Sequence, residues 1–203
     1  MKKVKTKDAY LIVEGLAIYS VISKKLKVGG YWDNFIPLYK FFDNPRILLI
    51  GVGGGTMLRQ MEKLGYKNYL GIDNNKEILK FLEKNIREKV KIIDGFEFMK
   101  TNKEKFDLII VDAYKGIINP LKFYSNEFLT NSYNSLKSKG IISYNHVLNV
   151  LSPFLFFKLK MRKDFDFKIR LGLNSVIIGL KNIERSDFER KIKKLSSYYN
   201  TLI

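Results

Sequence analysis

The sequence predicts an α/β fold. It should hold a seven-stranded, mostly parallel sheet with its last strand antiparallel, helices on both faces, and a short N-terminal β-hairpin. Three observations carry this. Strand-like runs such as "RILLIG" and "FDLIIVDA" are continuously apolar, as strands buried on both faces are. Helical patterns alternate with them, which is the signature of βαβ units. The two closing strand patterns, "FKIRL" and "NSVIIGL", flank only "GL", so they should pair antiparallel at the sheet edge.

In chain order, "YLIVEGLAIYSVIS" reads as two short strands around Glu14-Gly15, a small hairpin, and "KKLKVGG" as a turn. "YWDNFIPLYKFF" has apolar residues at helical spacing, and "DNP" breaks it. The alternation then begins: strand "RILLIG", helix "TMLRQMEKLG" with Gly65 as its stop, and strand "YKNYLGID". Helix "NKEILKFLEKNIRE", strand "KVKIID", short helix "FEFMKTN" and strand "FDLIIVDA" follow. "SNEFLTNSYNSLKSKG" should be a helix with Ser125 as N-cap, Glu127 in its first turn and Gly140 at its end. Strand "IISYN", helix "SPFLFFKLKMRKDF", the two closing strands and helix "SDFERKIKKLSSYY" complete the chain. The longest loop is "YKGIINPLKF", between Ala113 and Phe123.

The 203 residues suffice for one packed domain with a small appendage, placed here at residues 1–30 before a main domain of residues 31–203. With no cysteine and one histidine, disulfides, thiolate metal sites, a cysteine nucleophile and multi-histidine sites are excluded, and no metal is expected. The N-terminus starts basic and then apolar, but Glu14 and Gly15 interrupt it and no small-residue cleavage site follows. No window reaches membrane-spanning length, so the expectation is a soluble, cytoplasmic protein that does not engage a membrane. The net charge of +17 favours an anionic partner such as RNA or an acidic protein. Scattered lysines in a chain also rich in Ile, Asn, Tyr and Phe equally fit compositional bias.

Ligands of open parallel sheets bind beyond the carboxyl ends of the strands, and three such ends are chemically marked. The first is Gly51-Val52-Gly53-Gly54-Gly55, where bare backbone and the following helix N-terminus can approach a ligand. It fits neither the G-x-G-x-x-G dinucleotide pattern nor a Walker loop. The second is Asp73, which can accept both ribose hydroxyls; it or Asn74 can instead cap the next helix. The third is Asp94-Gly95, suited to the edge of an adenine or, again, to a helix cap. In this order they specify an adenosine-type ligand.

The segments "ILLIGVGGGTMLRQM", "GID", "DGFEFMKTNKEKFDLIIVDAY" and "FYSNEFLTNSYNSLKSKG" resemble spermidine synthase and its relatives, within the Rossmann-like class I S-adenosylmethionine-dependent fold. The resemblance covers roughly residues 31 to 146 and returns at "SSYYN". It implies an adenosyl donor, S-adenosylmethionine or its decarboxylated form, held by Gly51, Gly53, Asp73, Asp94 and Gly95; Gly54, Gly55, Asn74 and Asp112 are further candidate donor-binding residues. It also admits a homodimer, since spermidine synthases often self-associate through their N-terminal strands. Three positions depart from the family. Gly54 stands where the G-G-G-D-G-G aspartate would meet the amine of the decarboxylated donor. Lys115 stands at the second acid of D-x-x-D-P. Gly71 stands at the glutamate of E-I-D, which leaves ribose binding to Asp73.

Taken as a charge argument, Gly54 lifts an exclusion of the intact donor's carboxylate. With "DAY" and Glu127-Phe128, the chain then looks more like a spermidine-synthase-like branch often described as methyltransferases. The expected activity is methyl transfer to an acceptor the sequence does not name. Asp112 and Tyr114 are the candidate catalytic residues, and Lys115, Asn145, His146 and Tyr198 lie toward the acceptor. Two alternatives stand beside it: a divergent aminopropyltransferase making a polyamine, and a non-catalytic nucleoside-binding module engaging RNA or an acidic protein.

Overall fold

The computed structural model describes residues 1–15, 17–115, 118–148, 151–170 and 174–199. Its N-terminal sheet has three antiparallel strands in sequence order, β1 (Lys2–Lys5), β2 (Ala9–Glu14) and β3 (Ala17–Ser23). The sequence pattern gave only the last two, because "KKVK" is exposed throughout and carries no apolar face.

A short 3-10 turn (Tyr31–Phe35) and α1 (Ile36–Tyr39) lead into the main body. There follow β4 (Ile47–Ile50), α2 (Thr56–Lys63), β5 (Tyr69–Asp73), α3 (Lys84–Arg87), β6 (Val90–Ile92), α4 (Gly95–Thr101) and β7 (Phe106–Val111). The rest is α5 (Asn126–Ser135), β8 (Leu136–Val147), α6 (Ser152–Lys160), β9 (Asp166–Arg170), β10 (Asn174–Lys181) and α7 (Arg185–Tyr199). The sheet order is β6-β5-β4-β7-β8-β10-β9. Pairs from β6 through β8 are parallel, and β10 is antiparallel to both β8 and β9. The closing pair is thus antiparallel as expected, with β10 inserted next to β8 and β9 at the edge.

Strand β4 shows why its apolar run is unbroken. Ile47 and Leu49 pack into one core layer with Met61, Leu108 and Phe188, while Leu48 and Ile50 pack into the other with Phe98, Ile109 and Phe128. From β4 the chain adds β5 and β6 on one side, then crosses to β7 on the other. That reversal places a crevice at the carboxyl ends of β4 and β7.

Two helices differ from expectation. The run from Lys76 is a 3-10 segment ending at Phe81, then a break, then α3. Arg59, from α2, donates to the Phe81 carbonyl, which a continuous helix would use, and pairs with the Glu83 carboxylate. Helix α5 ends at Ser135 rather than Gly140, which lies within β8. Lys181 donates to the carbonyls of Tyr133 (2.7 Å) and Leu136 (3.1 Å), a cation that satisfies the helix end early. Among the described residues, no helix is long and apolar enough to cross a membrane.

Candidate active site

The carboxyl ends of β6, β5, β4 and β7 set Asp94, Asp73, the glycine loop and Asp112 in a row. Three inter-strand steps make that row about 14 Å long, the scale of an extended nucleoside with a short chain. A cavity of about 700 Å³ lies along it, lined among others by Glu14, Tyr19, Asp73, Asp94, Asp112 and Lys115.

Gly51 opens the loop at φ +94°, and a Cβ there would sit 2.4 Å from the carbonyl oxygen of Asp112. Only glycine lets β4 turn this close to β7. Asp73 fixes the next two residues: its Oδ2 accepts from the amides of Val52 (2.9 Å) and Gly53 (3.0 Å), and its Oδ1 from Asn75 (2.9 Å). Asn75 caps the following 3-10 turn, accepting from Glu77. This leaves Asp73 and Asn74 on the cavity. Gly71 packs beneath Val52 and Val90, away from the cavity, so Asp73 is the acid available at this strand end.

Gly54 and Gly55 do not line the cavity, contrary to expectation. A Cβ on Gly54 would lie 2.6 Å from Ser20 Cβ and 2.8 Å from Ile12 Cγ1, so it faces the N-terminal sheet. Gly55 (φ +88°) turns toward Leu82 and Arg59. The sheet is fastened to this side of the loop through Thr56, whose amide donates to Ser20 Oγ (3.1 Å) and whose Oγ1 accepts from the Val21 amide (2.8 Å). A side chain at position 54 would therefore point at the N-terminal sheet and not into the cavity, so the missing aspartate lifts no exclusion of the intact donor's carboxylate.

Asp94 is both helix cap and cavity residue. Its Oδ1 accepts from Phe96 N (2.9 Å), and its Oδ2 from Lys122 Nζ (2.6 Å). Burial opposes its ionisation, but the Lys122 ammonium and the Phe96 amide hold the carboxyl below its ordinary range. Gly95 beside it lines the cavity.

Asp112 is half-buried at the end of β7. Asn145 Nδ2 donates to its Oδ1 (2.7 Å) and the Tyr31 hydroxyl to its Oδ2 (3.1 Å). Burial pushes its carboxyl up to about 7, the two hydrogen bonds pull the other way, and the Asp73 charge adds to the rise. A carboxyl near 7 suits proton transfer at neutral pH. Asn145 is thus a positioning residue. Its Oδ1 accepts in turn from Asn174 (3.1 Å), which lines the cavity.

Tyr114 and Lys115 line the cavity, but the Tyr114 hydroxyl donates to the Asn145 carbonyl (2.9 Å) and so braces the loop. Two other candidates are corrected. His146 is fully buried outside the cavity, with Nδ1 bonded to the Tyr124 hydroxyl (2.7 Å) and Nε2 to Ser152 (2.8 Å); burial lowers its pKa. Tyr198 is 81% exposed on α7 and does not line the cavity. Asn200, which ends the "SSYYN" motif, lies outside the described residues. Sequence reading did not single out Tyr31, Tyr19, Lys122 or Glu14 as site residues. For Glu14 a signal existed, a lone charge interrupting an apolar hairpin.

An α/β sheet of this order, with a glycine loop and acids on successive strand ends, defines a class I methyltransferase-like fold with a cavity at the carboxyl ends of its strands. Solved structures of both methyltransferases and spermidine synthases share it. A probable spermidine synthase from Corynebacterium glutamicum matches with a TM-score of 0.73 at 17% identity, over 96% of this chain and 87% of that one. The sequence profile of the spermine/spermidine synthase domain matches residues 35–155, and the chain belongs to that family. A polyamine aminopropyltransferase of Thermococcus kodakarensis is 28% identical, over 80% of this chain and 67% of the relative. A probable polyamine aminopropyl transferase of Bifidobacterium longum is 29% identical, over 61% of this chain and 29% of the relative. The chain thus spans from under a third to about two thirds of the length of these relatives.

Proposed function

We propose that the chain is an aminopropyltransferase of the polyamine-forming kind, using decarboxylated S-adenosylmethionine and a polyamine acceptor. The carrying observation is electrostatic. A chain of net charge +17 lines one cavity with four carboxylates, Glu14, Asp73, Asp94 and Asp112. Lys122 is bound to Asp94 and the Met1 ammonium to Glu14, so the lining's remaining charged groups are Asp73, Asp112 and Lys115. Concentrated carboxylates against a basic background favour cationic ligands. A donor carrying a sulfonium and an ammonium, with an amine acceptor, fits that field better than a donor carrying a carboxylate. The named activities of the relatives support the same choice over methyl transfer.

The donor supplies an aminopropyl carbon activated by its sulfonium. The acceptor nitrogen bonds that carbon as the carbon–sulfur bond breaks, and the bond electrons stay on sulfur, leaving neutral methylthioadenosine. Asp94 and Asp73 would hold the adenine and ribose, and the Val52 and Gly53 amides stay fixed by Asp73. Asp112, oriented by Asn145 and Tyr31, takes the proton that the acceptor nitrogen loses. On this reading residues 1–30 roof a transferase body formed by residues 31–203.

Calorimetry with decarboxylated S-adenosylmethionine, intact S-adenosylmethionine and methylthioadenosine tests the donor, and formation of methylthioadenosine with putrescine tests turnover. At least tenfold tighter binding of the decarboxylated donor, about 1.4 kcal/mol, is the expected result. A second reading, methyl transfer, is favoured by Lys115, which could pair with the carboxylate of the intact donor. Tighter binding of intact S-adenosylmethionine would move the assignment there.

A further inference from the structure

Of the four cavity carboxylates, Asp73, Asp94 and Asp112 have roles in the reading above and Glu14 has none. Glu14 ends β2, and Gly15 at φ +58° turns the chain back toward β3. Both Glu14 and Tyr19 line the cavity. The Tyr19 carbonyl oxygen lies 3.1 Å from the point where a Gly53 Cβ would sit. This corner of the N-terminal sheet therefore lies over the loop amides that Asp73 holds from the other side.

Burial, a hydrogen bond to Glu14 and the Glu14 charge all raise the Tyr19 phenol, which marks the two side chains as neighbours. The Met1 ammonium, which also lines the cavity, lies 3.4 Å from Glu14 Oε1, so this oxygen accepts from a primary ammonium, and a ligand ammonium would replace Met1 there. The base-binding acid, Asp94, is two strands away from the glycine loop across β5. A donor laid along the row, base toward Asp94, would run its aminopropyl chain past the glycine loop toward the corner that carries Glu14 and Tyr19.

We propose that Glu14 binds the terminal ammonium of the donor's aminopropyl chain and selects the decarboxylated donor, an assignment that rests on the aminopropyl reading above. The N-terminal sheet, rather than the glycine loop, then supplies the carboxylate that meets the amine. The same charge disfavours the carboxylate of intact S-adenosylmethionine.

The test is calorimetry of the full chain and its Glu14→Gln and Glu14→Asp variants with three ligands. Glu14→Gln should weaken the decarboxylated donor about tenfold, the scale of one charge-assisted hydrogen bond in a part-exposed site. Methylthioadenosine, which lacks the amine, should change less than about twofold and so reports that the pocket is intact. Discrimination against intact S-adenosylmethionine should shrink, and Glu14→Asp should recover part of it. An unchanged affinity for the decarboxylated donor, or parallel weakening of methylthioadenosine, overturns the assignment. If the wild-type protein itself prefers the intact donor, the aminopropyl reading falls before any variant is compared.

Discussion

The two sides of the glycine loop look alike in sequence and differ in what they do. On the cavity side, Gly51 passes against the Asp112 carbonyl, and the Val52 and Gly53 amides are held by Asp73. On the other side, Gly54 makes room for Ser20 and Ile12, and Thr56 ties the loop to the Ser20–Val21 segment. One side is shaped for a ligand and the other for a strand. A glycine in a motif can thus record a close approach by the protein's own chain, and a missing aspartate there says nothing about the ligand until the side-chain direction is known.

The largest expected effect lies on the cavity side. Asp112→Asn should cut kcat about 10²- to 10⁴-fold, with donor affinity changed little. The wild-type rate should fall as pH drops through about 7, because Asp112 must be ionised to take a proton. The sign for stability is opposite. Its folded pKa lies above the ordinary 3.8, so the folded state holds the proton more tightly and stability declines as pH rises from there toward about 7. Denaturation followed across that window should show the decline in the wild type and less of it in Asp112→Asn. A pH-independent rate in the wild type would show that Asp112 does not carry the proton.

The next effect belongs to the other side. Gly54→Asp restores the family's residue but places its Cβ 2.6 Å from Ser20 Cβ, against buried neighbours. A loss of about 3 kcal/mol in denaturant unfolding is expected from overpacking and a poorly solvated carboxylate. It should not improve selectivity for the decarboxylated donor. Improved selectivity without lost stability would put position 54 on the cavity after all. Thr56→Val is smaller. It leaves the Val21 amide without its Thr56 partner, a cost of about 1–3 kcal/mol, and should raise the donor KM because Tyr19 and Glu14 sit on the same strands.

Much of this was legible from the chain. The continuous strands, the cap at Ser125, the antiparallel closing pair and the marked strand ends at Gly51, Asp73, Asp94 and Asp112 all rest on local pattern. What was not legible depends on partners far away in sequence. The direction of Gly54 is decided by Ser20, the break after Phe81 by Arg59, and the early end of α5 by Lys181. His146 looked available at a strand end because Tyr124 and Ser152, which occupy both its nitrogens, could not be placed beside it. Glu14 read as a mere interruption because nothing local says that a hairpin folds back over a loop some forty residues on.

The smallest expected effect tests a boundary of the cavity. Tyr198 belongs to the "SSYYN" resemblance but is 81% exposed and meets Tyr199 edge-on at 4.9 Å between ring centroids. Truncating an exposed ring removes little buried area, so Tyr198→Ala should shift stability by less than about 0.5 kcal/mol. Because the cavity lining does not include this ring, KM for both substrates should stay within about twofold of wild type, under 0.5 kcal/mol in binding. A several-fold rise in acceptor KM at unchanged stability would mean that the end of α7 closes over the cavity during turnover, joining a third segment to the two sides of the glycine loop.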